Sequence, residues 1–220
     1  MKEHESNVAY LHALRFAWLT RFYDPVVALT VRERTFKQRL IALAGIESGH
    51  EVLDIGCGTG TLAILIKQTC PGAEVTGLDG DPEILDRARR KAQVAAIDIR
   101  FDQGLSNALP YQDASFDRVV SSLFFHHLDQ DGKQGTLNEI RRVLRPGGEL
   151  HIADWGQPAN ALMRGLFFAI QLLDGFETTR DNVKGQLPTY LANAGLTAVS
   201  QQGQLNTIFG TLGFYSAIRS

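Results

Sequence analysis

The stretch Val52-Leu-Asp-Ile-Gly-Cys-Gly-Thr-Gly60 decides the fold of this chain. It begins as an apolar run interrupted by one acid, Asp54, and it ends in three glycines at alternate positions. Glycine permits a tight turn and lets a ligand approach the backbone closely. Helix-forming residues follow from Thr61, so the stretch predicts a strand, a sharp turn and a helix. In open α/β sheets such a turn lies at the carboxyl edge of the sheet, where ligands bind.

The same alternation of strands and helices continues beyond the glycine stretch. Apolar runs alternate with helical periodicity up to residue 153, and Asp81-Pro82 is a typical N-cap followed by a first-turn proline. Such alternation predicts right-handed β-α-β units and a parallel sheet with helices on both faces. The predicted strands are 51–55, 74–79, 97–101, 116–121 and 148–153, and the predicted helices are 61–69, 82–94 and 137–144.

The two ends of the chain depart from this alternation. Residues 11–18 carry one apolar helical face, and a second helix is predicted from about Val31 to Ala44, before Gly45. Beyond residue 155, the prediction gives apolar helices at 159–176 and 185–194 and an antiparallel hairpin formed by 196–202 and 207–217. The predicted fold is therefore α/β, with a doubly wound, mixed seven-stranded sheet whose C-terminal hairpin lies at the edge.

Composition excludes several classes of partner. The 220 residues fit one domain, with 44% hydrophobic residues and a net charge of −2. That charge argues against a nucleic-acid partner, and no stretch approaches the ~20 apolar residues of an integral membrane span. Cys57 and Cys70 are too few for a disulfide framework, and no metal site is indicated. Reduced thiols and a polar segment after Met1 favour a cytoplasmic protein.

Two acids beside the glycine stretch indicate the class of cofactor. Asp79 ends the second predicted strand, where a carboxylate can accept hydrogen bonds from both ribose hydroxyls of an adenosine group. Asp54 precedes the glycines, and an anion there is unfavourable for the pyrophosphate that dinucleotide loops bind. It suits the ammonium and sulfonium of S-adenosylmethionine. The spacing G-x-G-x-G also differs from the G-x-G-x-x-G of dinucleotide enzymes.

These residues resemble the class I S-adenosylmethionine-dependent methyltransferases, and more specifically the ubiquinone/menaquinone-biosynthesis type. The resemblance covers roughly residues 23–153 and implies a Rossmann-like methyltransferase fold. It implies methyl transfer from S-adenosylmethionine to a small-molecule acceptor. Its signatures are Asp54–Gly60, Asp79, Leu109-Pro110-Tyr111, Ser115-Phe116-Asp117 and Glu139–Gly148.

The resemblance also implies roles for individual cofactor-binding residues. The loop backbone at Gly56 and Gly58 would hold the methionine end, with Asp54 beside it and Cys57 as a small residue that fits the loop. Asp79 would bind the ribose. The remaining predicted cofactor contacts are Gly80, Leu105 and Ser106 around the adenine, and the backbone of Ser121 near the amino-acid end.

Leu105 is a departure from the family pattern. Such proteins usually carry Asp there, which accepts a hydrogen bond from the adenine amino group. Leu105 cannot accept one, so Gln103, Ser106 or Asn107 must replace it or the bond is lost. Losing one hydrogen bond costs about 1 kcal/mol, which weakens cofactor affinity several-fold.

The acceptor side is expected past the ends of the fourth and fifth strands. His126 is the candidate general base, because histidine titrates near neutral pH. His127 and Trp155 are candidate acceptor contacts, together with Phe22 and Tyr23 from N-terminal lid helices. Ordinary packing is the alternative for each of these side chains.

The chain divides accordingly into lid helices at 1–45, a cofactor-binding core at 46–155 and acceptor-side helices with the hairpin at 156–220. Two apolar helical segments over the site indicate an apolar, lipid-like or quinol-like acceptor, and they allow transient contact with lipid. Two other functions stay open. One is a catalytically silent accessory protein that binds S-adenosylmethionine, and the other is a nicotinamide-dependent oxidoreductase.

Overall fold

The computed structural model describes residues 33–174 and 176–220. The helices are α1 (Glu33–Ala44), α2 (Thr61–Thr69), α3 (Pro82–Val94), α4 (Gln130–Val143), α5 (Ala161–Asp174), α6 (Phe176–Val183) and α7 (Leu187–Asn193), with a one-turn 3₁₀ helix at Phe125–His127. The strands are β1 (Glu51–Ile55), β2 (Glu74–Asp79), β3 (Arg100–Gln103), β4 (Phe116–Ser122), β5 (Leu144–Trp155), β6 (Thr197–Thr207) and β7 (Gly210–Ile218).

One mixed sheet organises these elements, in the order β3-β2-β1-β4-β5-β7-β6. The first five strands are parallel, and β7 pairs antiparallel with both β5 and β6. The strand order reverses between β1 and β4, and such a switch point opens a ligand crevice at the carboxyl edge. The predicted doubly wound sheet with an antiparallel C-terminal hairpin is confirmed.

Both faces of the sheet are covered because successive strand residues point to opposite sides. Val52 of β1 belongs to one buried apolar cluster with Phe36, Leu85 and Phe214. The next residue, Leu53, belongs to a second cluster on the other face. These two clusters hold the sheet rigid, which fixes the positions of the loops at its carboxyl edge.

Several elements form where the sequence predicts them. Strands β1 and β2 and helix α2 have the predicted bounds. Helix α3 begins at Pro82 because the Asp81 side chain accepts hydrogen bonds from the Glu83 and Ile84 amides. The predicted N-terminal helix at 11–18 lies outside the described residues, and so does the start of the helix predicted from Val31. Of the lid predicted at 1–45, only α1 lies within the described residues.

Other boundaries differ from the prediction. Helix α4 begins at Gln130 rather than near Leu137, because Asp129 caps it by accepting the Gly132 amide at 2.7 Å. Strand β3 starts at Arg100 instead of Ile97 and ends two residues later than predicted.

The C-terminal part also differs in detail. Strand β5 extends well beyond the predicted 148–153, with a register irregularity opposite the start of β4. A separate helix, α6, lies between the two helices predicted after residue 155. Within the described ranges, no helix is long and apolar enough to cross a membrane.

Candidate active site

The glycine loop between β1 and α2 turns back over the end of β2. The Gly56 amide donates to the Leu78 carbonyl at 2.9 Å. Gly56, Gly58 and Gly60 have φ angles of 65°, 53° and 73°, in the left-handed region that disfavours other residues. Gly56 also lacks space for a side chain, since a Cβ there would lie 2.3 Å from Cδ2 of Phe124. The loop therefore needs glycine for its conformation and, at Gly56, for a close contact.

Asp54 lies beneath this loop as a fully buried acid. Neither of its carboxylate oxygens has a hydrogen-bond partner among the described residues. Burial raises its pKa to about 7, although Lys37 and the nearby Ala63 amide lower it. A buried carboxylate without partners is costly, so it fits a site that gains a cationic group from a ligand. The ammonium of S-adenosylmethionine is such a group.

Cys57 fills the space inside the loop. It is 6% exposed, and burial together with the Asp54 and Asp79 charges raises the pKa of its thiol. The thiol is therefore protonated and inert at neutral pH. This environment suits the predicted role of a small residue that fits the loop, and a role in cofactor contact stays a prediction.

Asp79 holds the loop against the end of β2. Its Oδ2 accepts the Gly58 amide at 2.9 Å, and its Oδ1 accepts the Asp81 amide at 3.1 Å. Burial raises the pKa of Asp79, although hydrogen bonds from these two amides lower it. The residue is only partly buried, and so is Gly80 after it, so both present surface at the sheet edge. This placement fits the predicted contacts with a ribose and an adenine.

The segment after β3 lies next to Asp79 on the adenine side. The Gly104 amide donates to the Asp79 carbonyl at 3.1 Å, and Leu105 is 48% exposed. Ser106 is hydrogen-bonded to Thr136 of α4 at 2.7 Å, so its hydroxyl is already engaged. Gln103 donates its amide nitrogen to the Gly80 carbonyl at 3.3 Å, which leaves Oε1 as a side-chain acceptor at this edge. Gln103 therefore remains a candidate for the adenine contact that Leu105 cannot make.

Ser121 ends the buried part of β4 beside β1. Its hydroxyl donates to the Ile55 carbonyl at 3.0 Å, so the side chain ties the two central strands together. The predicted contact of Ser121 with the cofactor involves the backbone and stays a prediction.

A buried histidine–aspartate pair lies past the ends of β4 and β5. His126 Nδ1 and Asp154 Oδ1 are 2.7 Å apart, and the two side chains are 2% and 0% exposed. Asp154 also accepts the amides of Phe124, His126 and Trp155 at 3.0, 3.4 and 2.6 Å. Burial opposes its ionisation, but His126 and these amides outweigh burial and lower the pKa of Asp154. The pair therefore holds an ionised acid against an imidazole.

The two other predicted acceptor residues of the described chain flank this pair. His127 stacks on His126 with ring centroids 3.9 Å apart, and burial lowers its pKa to about 3. His127 is therefore neutral at physiological pH. Trp155 is 4% exposed and packs on Phe167 with centroids 5.5 Å apart. Phe22 and Tyr23 lie outside the described residues, so their acceptor role is untested.

Sequence reasoning missed a group of buried polar side chains next to the pair. Asp181 on α6 accepts the Tyr190 hydroxyl at 2.8 Å and lies 3.7 Å from the Lys133 ammonium. Asn182 donates to the Trp155 carbonyl at 2.8 Å, and its Oδ1 has no hydrogen-bond partner among the described residues. A signal existed in the sequence, because Lys133 lies on the apolar face of α4 with Leu137. In the described chain, no group of three or more His, Cys, Asp or Glu residues could hold a metal ion.

The comparisons with known proteins agree with this geometry. A family model described as a methyltransferase domain matches residues 52–148. The demethylmenaquinone methyltransferase of Deinococcus radiodurans is 39% identical over 155 residues, which cover 69% of this chain and 63% of that protein. A second such enzyme, from Thermus thermophilus, is matched over 55% of its length, so the chain spans little more than half of these relatives.

Two further matches extend over most of both proteins. An uncharacterized methyltransferase of Synechocystis is 30% identical over 84% of this chain and 85% of its own length. A solved S-adenosylmethionine-dependent methyltransferase of Aquifex aeolicus superposes with a TM-score of 0.65 at 20% identity, over 91% of this chain and 97% of that chain. The second match shows a shared fold, and the first shows a shared family. The chain therefore belongs to the class I S-adenosylmethionine-dependent methyltransferases, of the type that resembles the ubiquinone/menaquinone-biosynthesis enzymes, with S-adenosylmethionine as its cofactor.

Proposed function

We propose that this chain methylates a small apolar acceptor with an ionisable hydroxyl, a quinol or a phenol, and that His126 is the base. The observation that carries the proposal is the position of the His126–Asp154 pair. Phe124 lies two residues before His126 and occupies the space above Gly56, so the segment that carries His126 contacts the glycine loop. Asp154 binds the amides of this segment and fixes its position.

The pair supplies what deprotonation of a hydroxyl requires. When bound, S-adenosylmethionine supplies a methyl group on a positively charged sulfur, which keeps the electron pair of the broken S–C bond. Asp154 holds Nδ1 of His126, and in the proposal the imidazole ring accepts the proton of the acceptor's hydroxyl. The ionised Asp154 stabilises the imidazolium that forms. The deprotonated hydroxyl would then be the nucleophile toward the methyl carbon. If a ring carbon that it activates reacts instead, that carbon would afterwards lose its own proton to solvent, which restores the aromatic ring.

The surroundings of the pair support an apolar acceptor. Trp155 lies edge-on to His126 with centroids 6.4 Å apart, and Phe167 of α5 packs on the other side of Trp155. These buried aromatic rings give the surroundings of the pair an apolar character. The Deinococcus radiodurans relative bears a name that states a quinone acceptor, demethylmenaquinone. A quinol is therefore the first acceptor to test.

An apolar acceptor of this kind partitions into lipid, so the chain would meet a lipid surface transiently. Leu162 and Phe168 of α5 are 68% and 49% exposed, and α5 is the helix that carries Phe167. Exposed apolar side chains on this helix would bring the acceptor side of the molecule to the lipid.

An acceptor screen tests the substrate class. S-adenosylhomocysteine release is measured with naphthoquinols, phenols, amines and phospholipids at equal concentrations. We expect release with naphthoquinols and phenols. Release with amines and none with naphthoquinols would contradict the proposal. Tight cofactor binding without release for any acceptor would favour the accessory protein.

A pair of variants tests His126 as the base. His126→Asn keeps an amide N–H near the position of Nδ1 but has no basic nitrogen, so turnover should fall by about a hundredfold or more. S-adenosylhomocysteine affinity should stay unchanged. The matched control is His151→Gln, since His151 is also buried and bonded to a carboxylate, Glu149, within β5. Equal turnover in the two variants would show that His126 is not the base.

A further inference from the structure

Helix α1 brings a buried lysine to the cofactor edge of the sheet. Lys37 is 8% exposed and lies on the face of α1 that packs on the core, one residue after Phe36. Its ammonium is 2.6 Å from the Glu33 carboxylate, one helical turn earlier. An ammonium has three N–H donors, and this contact uses one of them. The other two donors of the Lys37 ammonium are left for a further partner.

The topology places Lys37 near the glycine loop. The C-terminal end of α1 lies at the start of β4, since Arg118 Nε donates to the Ala44 carbonyl at 2.9 Å. From Ala44 back to Lys37 the helix rises about 10 Å. From Arg118 to Ser122 strand β4 advances about 13 Å toward the carboxyl edge. The ammonium of Lys37 therefore lies at the level of the loop, where its charge acts on both Asp54 and Cys57.

Asp54 is the second buried charged residue of this region. It is fully buried, and both carboxylate oxygens have no partner among the described residues, although a buried lysine lies nearby. Lys37 gives its hydrogen bond to Glu33 instead of Asp54. Asp54, Lys37 and Glu33 thus present a carboxylate, an ammonium and a carboxylate. The methionine end of S-adenosylmethionine carries the opposite set: an ammonium, a carboxylate and a sulfonium.

We propose that Lys37 binds the α-carboxylate of the cofactor, and that Asp54 binds the neighbouring ammonium. The proposal rests on cofactor use by this chain and is independent of the acceptor. It makes α1 part of the cofactor site, although α1 precedes the glycine stretch in the sequence. Glu33 holds the lysine ammonium in place and balances its charge before the cofactor arrives.

Calorimetric titration with two ligands tests the proposal. The ligands are S-adenosylmethionine and decarboxylated S-adenosylmethionine, which lacks only the carboxylate. Wild type should prefer the first, although the second carries more positive charge. In Lys37→Met the affinity for S-adenosylmethionine should fall about tenfold or more. Affinity for the decarboxylated ligand should stay equal or rise, because the site becomes more negative.

Two control variants sharpen the comparison. Lys37→Arg keeps the charge and should keep the wild-type preference. Lys67→Met removes a partly buried lysine, which donates to the Ala73 carbonyl away from the loop, and should change neither affinity. The preference is a ratio within each variant, so a loss of stability that weakens both ligands equally does not count as support.

Three outcomes overturn the proposal. A wild type that binds the decarboxylated ligand as tightly as S-adenosylmethionine removes the carboxylate contact without any variant. A Lys37→Met protein with the wild-type preference removes Lys37 from the site and leaves the proposed function intact. A wild type that binds neither ligand removes the proposed function as well.

Discussion

At the scale of single residues, two buried acids near the carboxyl edge of the sheet differ in the partners that the protein gives them. Asp54 is buried without a hydrogen-bond partner among the described residues, and its pKa is raised to about 7. Asp154 is equally buried, but four hydrogen bonds reach it, and its pKa is lowered. The two acids therefore have different roles. In our proposal, Asp54 receives its cationic partner from the ligand. Asp154 already has hydrogen-bond donors within the protein.

This difference predicts opposite effects of removing each charge. Because the pKa of Asp54 is raised by folding, its contribution to stability is lost as the pH rises from about 4 to about 7. Asp54→Asn should therefore stabilise the free protein at about pH 8, by roughly 1–3 kcal/mol, and less so near pH 5. It should also weaken S-adenosylhomocysteine binding at least tenfold.

Urea unfolding of the ligand-free variants at the two pH values measures this effect. The control is Asp154→Asn, which should destabilise at both values because the donors facing Asp154 lose an ionised acceptor. If Asp54→Asn is no more stable than wild type at the higher pH, the Asp54 carboxylate has a hydrogen-bond or ion-pair partner in the free protein.

Leu105 allows a gain of affinity to be predicted. It is about half exposed at the edge where the adenine is predicted to bind, and its side chain has no hydrogen-bond acceptor. Leu105→Asp should tighten S-adenosylhomocysteine binding about fivefold, since it adds one acceptor for the adenine amino group. Calorimetry on this variant and on Asn107→Asp as a control measures the change. Equal or weaker binding by Leu105→Asp would mean that another group, such as Gln103, already fills that role.

At the scale of elements, the glycine loop and the segment after β4 form one unit. The ring of Phe124 occupies the space above Gly56, so the cofactor loop and the His126 segment fit against each other. The sequence predicts each of these segments, but it does not predict their contact. It also hides the start of α4, because Gly132 and Gly135 lower helix propensity and only the Asp129 cap marks the beginning.

Two glycine variants separate this contact from backbone strain. Gly56→Ala adds a methyl group 2.3 Å from Phe124, whereas at Gly58 nothing lies within 4 Å of an added Cβ. Both residues have positive φ, so each alanine costs about 1–2 kcal/mol of strain. Gly56→Ala should cost about 1–3 kcal/mol more and should lower turnover by moving His126. Equal unfolding free energies for the two variants would show that Phe124 moves away freely.

At the scale of the whole molecule, local patterns were enough to predict the sheet and the cofactor class. Apolar runs that alternate with helical segments predicted the parallel strands. The acids Asp54 and Asp79 predicted a cationic cofactor with an adenosine group. The acceptor side could not be predicted in the same way. Its polar residues lie on α4, α6 and α7, and Lys133, Asp181 and Tyr190 meet only after folding. No local periodicity records such a meeting.

The same limit applies to α1. Its apolar face predicts a packed helix, and Lys37 on that face looks like an isolated exception in the sequence. Only the sheet topology brings Lys37 to the edge where β1 ends, one residue after Asp54. The proposed site therefore combines the segment before β1, the core strands and the C-terminal helices.

Single-turnover methyl transfer tests whether this chain methylates a quinol whose hydroxyl is first deprotonated. The enzyme is loaded with S-adenosylmethionine that carries an isotopically labelled methyl group. It is then mixed either with a naphthoquinol or with the corresponding oxidised naphthoquinone. We expect the label in the reduced acceptor, which has a hydroxyl for His126 to deprotonate, and none in the oxidised quinone. Label in neither form from a fully loaded enzyme, or equal label in both, would contradict the proposed function.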